Sequence, residues 1–269
     1  GFSGFPAGDP ITHMSVHIED LFYNETRKLD LYLAEDPGRP LIICMHGGGF
    51  VSGNRRDERC RQAAELLGRA GFNCASVTYS LAEPATRFGM WPRNLLDLAE
   101  SVAFLQSRAN EYSYDAGRFA FLGFSAGCCL SNLYMQGGHD LFRELGFGLE
   151  YYRPSALVGF YGPYDFSIRQ PERRSADQEI NRLHSPRYWL QRRTDTPPPI
   201  LHIHGDIDDV VYFDQHEALR DDCLEKGYPF EEITAGGFGH SFAPRDTNDH
   251  GDSLDLEADI VEFLGRQLL

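Results

Sequence analysis

One stretch constrains this chain more than any other: Phe121-Leu122-Gly123-Phe124-Ser125-Ala126-Gly127. The apolar run before it, 118–122, reads as a buried strand, and residues 128–135 read as a helix. The serine between them sits on a sharp strand-to-helix turn with the G-x-S-x-G spacing of a nucleophile elbow. Glycine is needed two positions before and after it, because side chains there would strike neighbouring backbone. The N-terminus of the new helix brings backbone N–H groups beside the serine, where an oxyanion could be held. A bare pentapeptide of this kind arises by chance. Its setting gives it weight, and it asks the rest of the chain for a base, an acid and an oxyanion site.

The order of elements around this turn suits such a site. Residues 17–23 and 28–33 read as two antiparallel strands around a turn. Residues 41–45 form a continuous apolar run, the mark of a strand covered on both faces. A helix is expected over 56–70, a strand over 72–79, a loop over 80–91 and an amphipathic helix over 92–110. After the elbow come strands at 156–161, 199–204 and 228–234, with helices at 214–226 and 254–269. Strands alternating with helices predict a mostly parallel sheet with helices on both faces. The length of 269 residues fits one α/β domain, preceded by an arm at 1–12. Residues 163–198 depart from this rhythm, being rich in charge with Trp189 and several tyrosines. A long insert of this kind reads as a lid or pocket wall. Joining two parallel strands requires a crossover, so helix is expected within it, over 175–183 and 187–193.

The missing chemical parts are present. His240 lies in a glycine-rich loop, Gly236-Gly237-Phe238-Gly239-His240, between the last strand and the last helix. Loops there emerge at the carboxyl ends of parallel strands, where sites of open α/β sheets gather. Three candidate acids, Asp206, Asp208 and Asp209, follow the strand at 199–204, and spacing alone leaves them open. His46-Gly47-Gly48-Gly49-Phe50 follows another buried strand, and its glycines free backbone N–H groups to face a ligand.

Together HGGGF at 46–50, GFSAG at 123–127, HGDIDDVV at 204–211 and GFGHSF at 237–242 resemble the α/β-hydrolase carboxylesterases. The likeness is to the acetylesterase and feruloyl-esterase-like branch, near the hormone-sensitive-lipase and kynurenine-formamidase families, over about residues 25–269. It implies an α/β-hydrolase fold with a mostly parallel sheet of about eight strands. It implies Ser125 as nucleophile, His240 as base and Asp208 as orienting acid. The oxyanion donors would be the backbone N–H groups of Gly48, Gly49 and Ala126. The aromatics Phe50, Trp91, Phe124, Tyr164, Trp189 and Phe238 lie in or beside these loops and are expected to divide between core and substrate pocket.

The resulting expectation is a serine carboxylesterase for short-chain esters of soluble substrates, including acetylated or feruloylated carbohydrates. An arylformamidase is one alternative, since its motifs overlap. A small-ligand receptor on the same fold is another, against which an intact triad argues. No cofactor is expected. His46 and His204 belong to motifs and His202 to packing, so no metal site is expected. His13, His17, His139, His184, His216 and His250 are placed on the surface or in loops. A formal net charge of −15 argues against nucleic acid and anionic membrane as partners. The partner the resemblance implies is a small-molecule ester, with monomer and homodimer both open. The six cysteines lack zinc spacing and read as buried thiols, which favours a reducing cytoplasm. A chain that begins at Gly1 leaves export open as well.

Overall fold

A computed structural model describes residues 14–167 and 175–269. The expected arm at 1–12, His13, and residues 168–174 of the insert lie outside the described residues. Eight strands form one sheet: β1 (Met14–Phe22), β2 (Lys28–Ala34), β3 (Pro40–Met45), β4 (Asn73–Val77), β5 (Asp115–Phe124), β6 (Leu157–Phe160), β7 (Ile200–Gly205) and β8 (Phe230–Ala235). Their spatial order is β1-β2-β4-β3-β5-β6-β7-β8. β2 runs antiparallel to both its neighbours, and every pairing from β4 to β8 is parallel.

The helices are α1 (Glu58–Arg69), α2 (Arg93–Tyr112), α3 (Ala126–Glu144), α4 (Gln178–Leu183), α5 (Pro186–Arg192), α6 (Asp214–Lys226) and α7 (Glu257–Leu268). Because strand side chains alternate, each central strand feeds two cores. Ile42 and Cys44 of β3 pack with Ala63 and Leu67 of α1 and with Ile260 and Phe263 of α7. Leu41, Ile43 and Met45 pack on the opposite face with Leu95 of α2 and Leu133 of α3. The continuous apolar run at 41–45 is therefore explained: neither face meets water. All six cysteines are buried and unpaired. Burial pushes the Cys128 and Cys223 thiols up to about 12.

One expectation needed adjustment. The last helix starts at Glu257, because Leu254 belongs to a short strand, β10 (Ser253–Asp255), paired with β9 (Arg245–Thr247). Asn248 makes that hairpin, its side chain accepting from the His250 and Asp252 N–H groups. The insert does carry the expected helices, as α4 and α5. Among its described residues, Arg187 bridges Asp165 and Asp222.

In-register pairing of β3 with β5 sets Met45 level with Gly123. The glycine loop after β3 and the serine turn after β5 thus leave the sheet side by side.

Candidate active site

Ser125 has φ 49° and ψ −115°, a conformation that non-glycine residues avoid. The strain is held from both sides: the Ser125 N–H donates to Phe160 O at 2.8 Å, and its carbonyl accepts from the Cys129 N–H at 2.9 Å. The glycine requirement is now geometric. A Cβ on Gly127 would lie 2.3 Å from Met45 O, and one on Gly123 would lie 2.7 Å from the Cys128 backbone.

His240 reaches this serine from the loop after β8. Its Nε2 stands 2.9 Å from Ser125 Oγ, and its Nδ1 stands 2.7 Å from Asp208 Oδ2. The other carboxylate oxygen, Oδ1, accepts from the Val210 and Val211 N–H groups at 2.8 and 2.9 Å. Burial alone would raise the Asp208 pKa. Hydrogen bonds from His204, His240 and the backbone outweigh burial and hold the carboxyl far below the usual range. The three aspartates are separated by their contacts. Asp206 Oδ1 instead accepts from the Gly237 N–H at 2.7 Å, and Asp209 is exposed. The His240 loop is anchored by Tyr161, whose hydroxyl donates to Phe242 O at 2.6 Å and whose ring lies 4.6 Å from the imidazole.

The glycine loop closes the other side. A Cβ on Gly47 would come within 3.3 Å of Ser125 Cβ, and one on Gly48 within 2.0 Å of Ser52 O. Gly48 and Gly49 take φ of 118° and 60°, so the chain turns where side chains are disfavoured. His46 sits beneath, stacked on Tyr79 at 4.2 Å, and burial lowers its pKa to about 4. It is a strut of the loop and lies off the cleft.

Two hollows meet at Ser125. An open cleft of about 270 Å³ is bordered by Gly47, Gly48, Arg59, Arg87, Tyr161 and His240. A pocket of about 30 Å³ beside Ala126 is walled by Gly49, Phe50, Pro163, Phe166 and Val211. That is roughly two to three times the minimum volume one water needs. Phe50 and Phe124 border these hollows. The remaining four aromatics do not. Tyr164 is buried with its hydroxyl donated to Asp222 at 2.8 Å. Trp189 donates its Nε1–H to Leu183 O and faces a depression between α3 and α5. Phe238 packs in the core against Phe242, behind the histidine loop. Trp91 packs on His184 at 4.5 Å. In each case an aromatic beside a loop found core to cover. Arg59, Arg87 and Phe166 border the site without a sequence signal, since they stand in a helix, a loop and the insert, outside every motif.

Two histidines expected on the surface or in loops are fully buried. His184 lies among Phe50, Phe88, Trp91 and Phe166, with Phe166 stacked at 4.9 Å and 13°. Burial lowers its pKa to about 3. His216 packs on His202 behind Asp208, because α6 turns an unusually polar face inward: Gln215, His216 and Asp222 are among its buried residues.

A mostly parallel sheet covered on both faces, with a strained serine, a histidine and an aspartate in hydrogen-bond series at its carboxyl edge, is the arrangement of the α/β-hydrolase fold. The chain belongs to the BD-FAE family, whose pattern matches residues 29–223. It is 31% identical over 227 residues to Esterase LipC of Mycobacterium tuberculosis, covering 76% of this chain and 54% of that one. It is 26% identical over 230 residues to the probable carboxylic ester hydrolase LipM of the same organism, covering 76% and 51%. The chain thus spans about half the length of these curated relatives. Among solved structures it is similar to a truncated carbohydrate esterase from gut microbiota, with TM-score 0.77 at 22% identity, covering 95% of this chain and 97% of that one. It is also similar to a propionate-bound esterase from Thermogutta terrifontis, with TM-score 0.72 at 19% identity, covering 93% and 92%.

Proposed function

We propose that this chain is a serine carboxylesterase that hydrolyses short-chain esters of soluble substrates through an acyl-enzyme. The observation that carries the reading is the series Ser125 Oγ–His240 Nε2 at 2.9 Å and His240 Nδ1–Asp208 Oδ2 at 2.7 Å, opening onto a pocket of about 30 Å³. Ser125 Oγ attacks the ester carbonyl as His240 Nε2 takes its proton. Asp208 holds Nδ1–H toward itself, which leaves the Nε2 lone pair facing the serine. The oxyanion is received by the N–H groups of Gly48, Gly49 and Ala126. The C–O bond to the alcohol breaks, and His240 returns the proton to the leaving oxygen. Water then attacks the acyl-enzyme by the same path, releasing the acid and restoring Ser125.

The two hollows divide the substrate. The small pocket suits an acyl group of two to four carbons, and the open cleft suits a larger, polar alcohol. Related structures described as a carbohydrate esterase and as an acetyl ester-xyloside bifunctional hydrolase support carbohydrate acetates as that class. A formyl group fits the same pocket, so arylformamide belongs in the comparison.

The test is a panel of nitrophenyl esters of rising chain length, acetylated xylo-oligosaccharides, feruloyl esters and N-formylkynurenine, each run beside Ser125→Ala. Acetate and butyrate should be turned over far faster than chains of about ten carbons, since each further methylene gains about 0.8 kcal/mol only where a pocket receives it. Rates that climb with chain length, or jump when the substrate forms micelles, would overturn the short-chain reading.

A further inference from the structure

Behind the triad lie three histidines outside the proton relay itself, joined to it where His204 Nε2 meets Asp208 Oδ2 at 3.2 Å. His202 and His204 stand two apart on β7 and so share a face, and His216 of α6 lies over both. All three are essentially excluded from solvent, and one nitrogen from each lies within 4.8 Å of the others. The geometry points to a binding site for a single borderline divalent cation, Zn²⁺ being the best fit, held by the Nδ1 atoms of His202, His204 and His216.

The hydrogen bonds assign those atoms. His204 Nε2 faces two acceptors, Val211 O at 2.8 Å and Asp208 Oδ2 at 3.2 Å, so Nε2 carries the proton. Its Nδ1 is then a bare lone pair, buried, with no hydrogen-bond partner among the described residues. An orphaned buried acceptor of this kind is normally destabilising. His216 Nε2 donates to Glu232 Oε2 at 2.8 Å, which turns the lone pair of its Nδ1 inward. That nitrogen stands 2.7 Å from His202 Nδ1. Two of three imidazoles therefore already donate their outer N–H to a carboxylate or carbonyl, the arrangement that orients metal-bound histidine. The neutral imidazole is the form that ligates.

The alternative is a purely hydrogen-bonded cluster, in which His202 Nδ1–H donates to His216. Metal binding requires that proton to move to His202 Nε2, so the net proton count does not change. It also requires the two nitrogens to part, since ligands at about 2.0–2.1 Å in a tetrahedron lie roughly 3.3 Å from each other. A separation of 2.7 Å thus needs about 0.6 Å of ring movement. Three imidazoles leave one tetrahedral position for water. The carboxylates of Glu232 and Asp208, one shell out, offset the ion's charge.

The test uses the full chain, stripped by dialysis against a chelator. Zn²⁺ is titrated in competition with a chromophoric chelator, and Co²⁺ is added separately to read tetrahedral nitrogen coordination from its visible absorption. The wild type should take up one equivalent. His202→Gln and His216→Asn should each weaken uptake by more than about 100-fold, with folding checked by circular dichroism. Glu232→Gln, at a half-exposed side chain, supplies a variant that leaves the buried cluster intact; it should bind roughly 10- to 100-fold more weakly. His250→Ala, at an exposed loop, should bind as the wild type does. Absence of stoichiometric uptake, or uptake equal in the wild type and Glu232→Gln, would overturn the site and leave the hydrogen-bonded cluster as the account.

Discussion

Replacing His184 by Phe should make the fold markedly less sensitive to acid. His184 is fully buried among four aromatic rings, and neither ring nitrogen has a hydrogen-bond partner among the described residues. Burial alone lowers its pKa, from an ordinary 6.5 to about 3. The sign follows from proton counting. Between about 6.5 and about 3 the unfolded chain carries a proton on this ring and the folded chain does not, so protons favour unfolding there. Stability is complete above 6.5 and is lost as the pH falls. Each full pH unit inside the window removes about 1.4 kcal/mol, so by pH 5 the loss from His184 is about 2 kcal/mol. Against a typical domain stability of about 5–15 kcal/mol this is readable. The assay is urea unfolding followed by tryptophan fluorescence at pH 7.5 and pH 5, with Trp91 lying 4.5 Å from the ring. The wild type should lose about 2 kcal/mol more than His184→Phe between the two conditions. Any cost of fitting the larger ring is the same at both pH values and cancels. His184→Gln should flatten the dependence equally, which separates the proton effect from aromatic packing. An unchanged pH dependence in both variants would refute the argument.

Ser125→Ala should lower ester hydrolysis by about 10⁴ to 10⁶ in turnover while leaving the melting temperature near that of the wild type, and a fluorophosphonate probe should label only the parent. Asp208→Asn should lower turnover by about 10⁴, because it removes the carboxylate that holds His240 Nδ1–H, whereas Asp206→Asn and Asp209→Asn should stay within about 10-fold. A crippled Asp209→Asn would show that the loop register is wrong. Gly127→Ala should destabilise by about 1–3 kcal/mol or more, since its Cβ would meet Met45 O at 2.3 Å; a melting temperature equal to the wild type's would contradict the packing described for the turn.

The parts of this protein governed by local rules were readable in advance. The apolar runs of β3 and β5, covered on both faces, and the glycines that backbone contact forbids to be anything else mark the frame of the site in one dimension. His240 was readable from its loop. Asp208 was not readable from spacing, because three acids share one turn and only the fold decides which carboxylate meets the imidazole. Side-chain direction was the main thing hidden. Tyr164 and Trp189 sit beside the site in sequence but turn into core, where Asp222 and Leu183 O satisfy their polar ends. His216 was hidden for a different reason. Periodicity identifies a buried helix face by its apolar residues, and the inward face of α6 includes Gln215, His216 and Asp222. A polar buried face has no signature in hydropathy.

The thiols carry a practical consequence. Six cysteines are distributed over β3, α1, β4, α3 and α6, and all are shut away from solvent. A water-soluble thiol-alkylating reagent therefore meets no cysteine on the intact surface and must wait for the molecule to open. Mass spectrometry of partially modified protein would then record a chronology. Cys223 on α6, beside the polar helix face, should be tagged ahead of Cys44 in the middle of the sheet, so the order of tagging ranks the segments by how readily each one breathes.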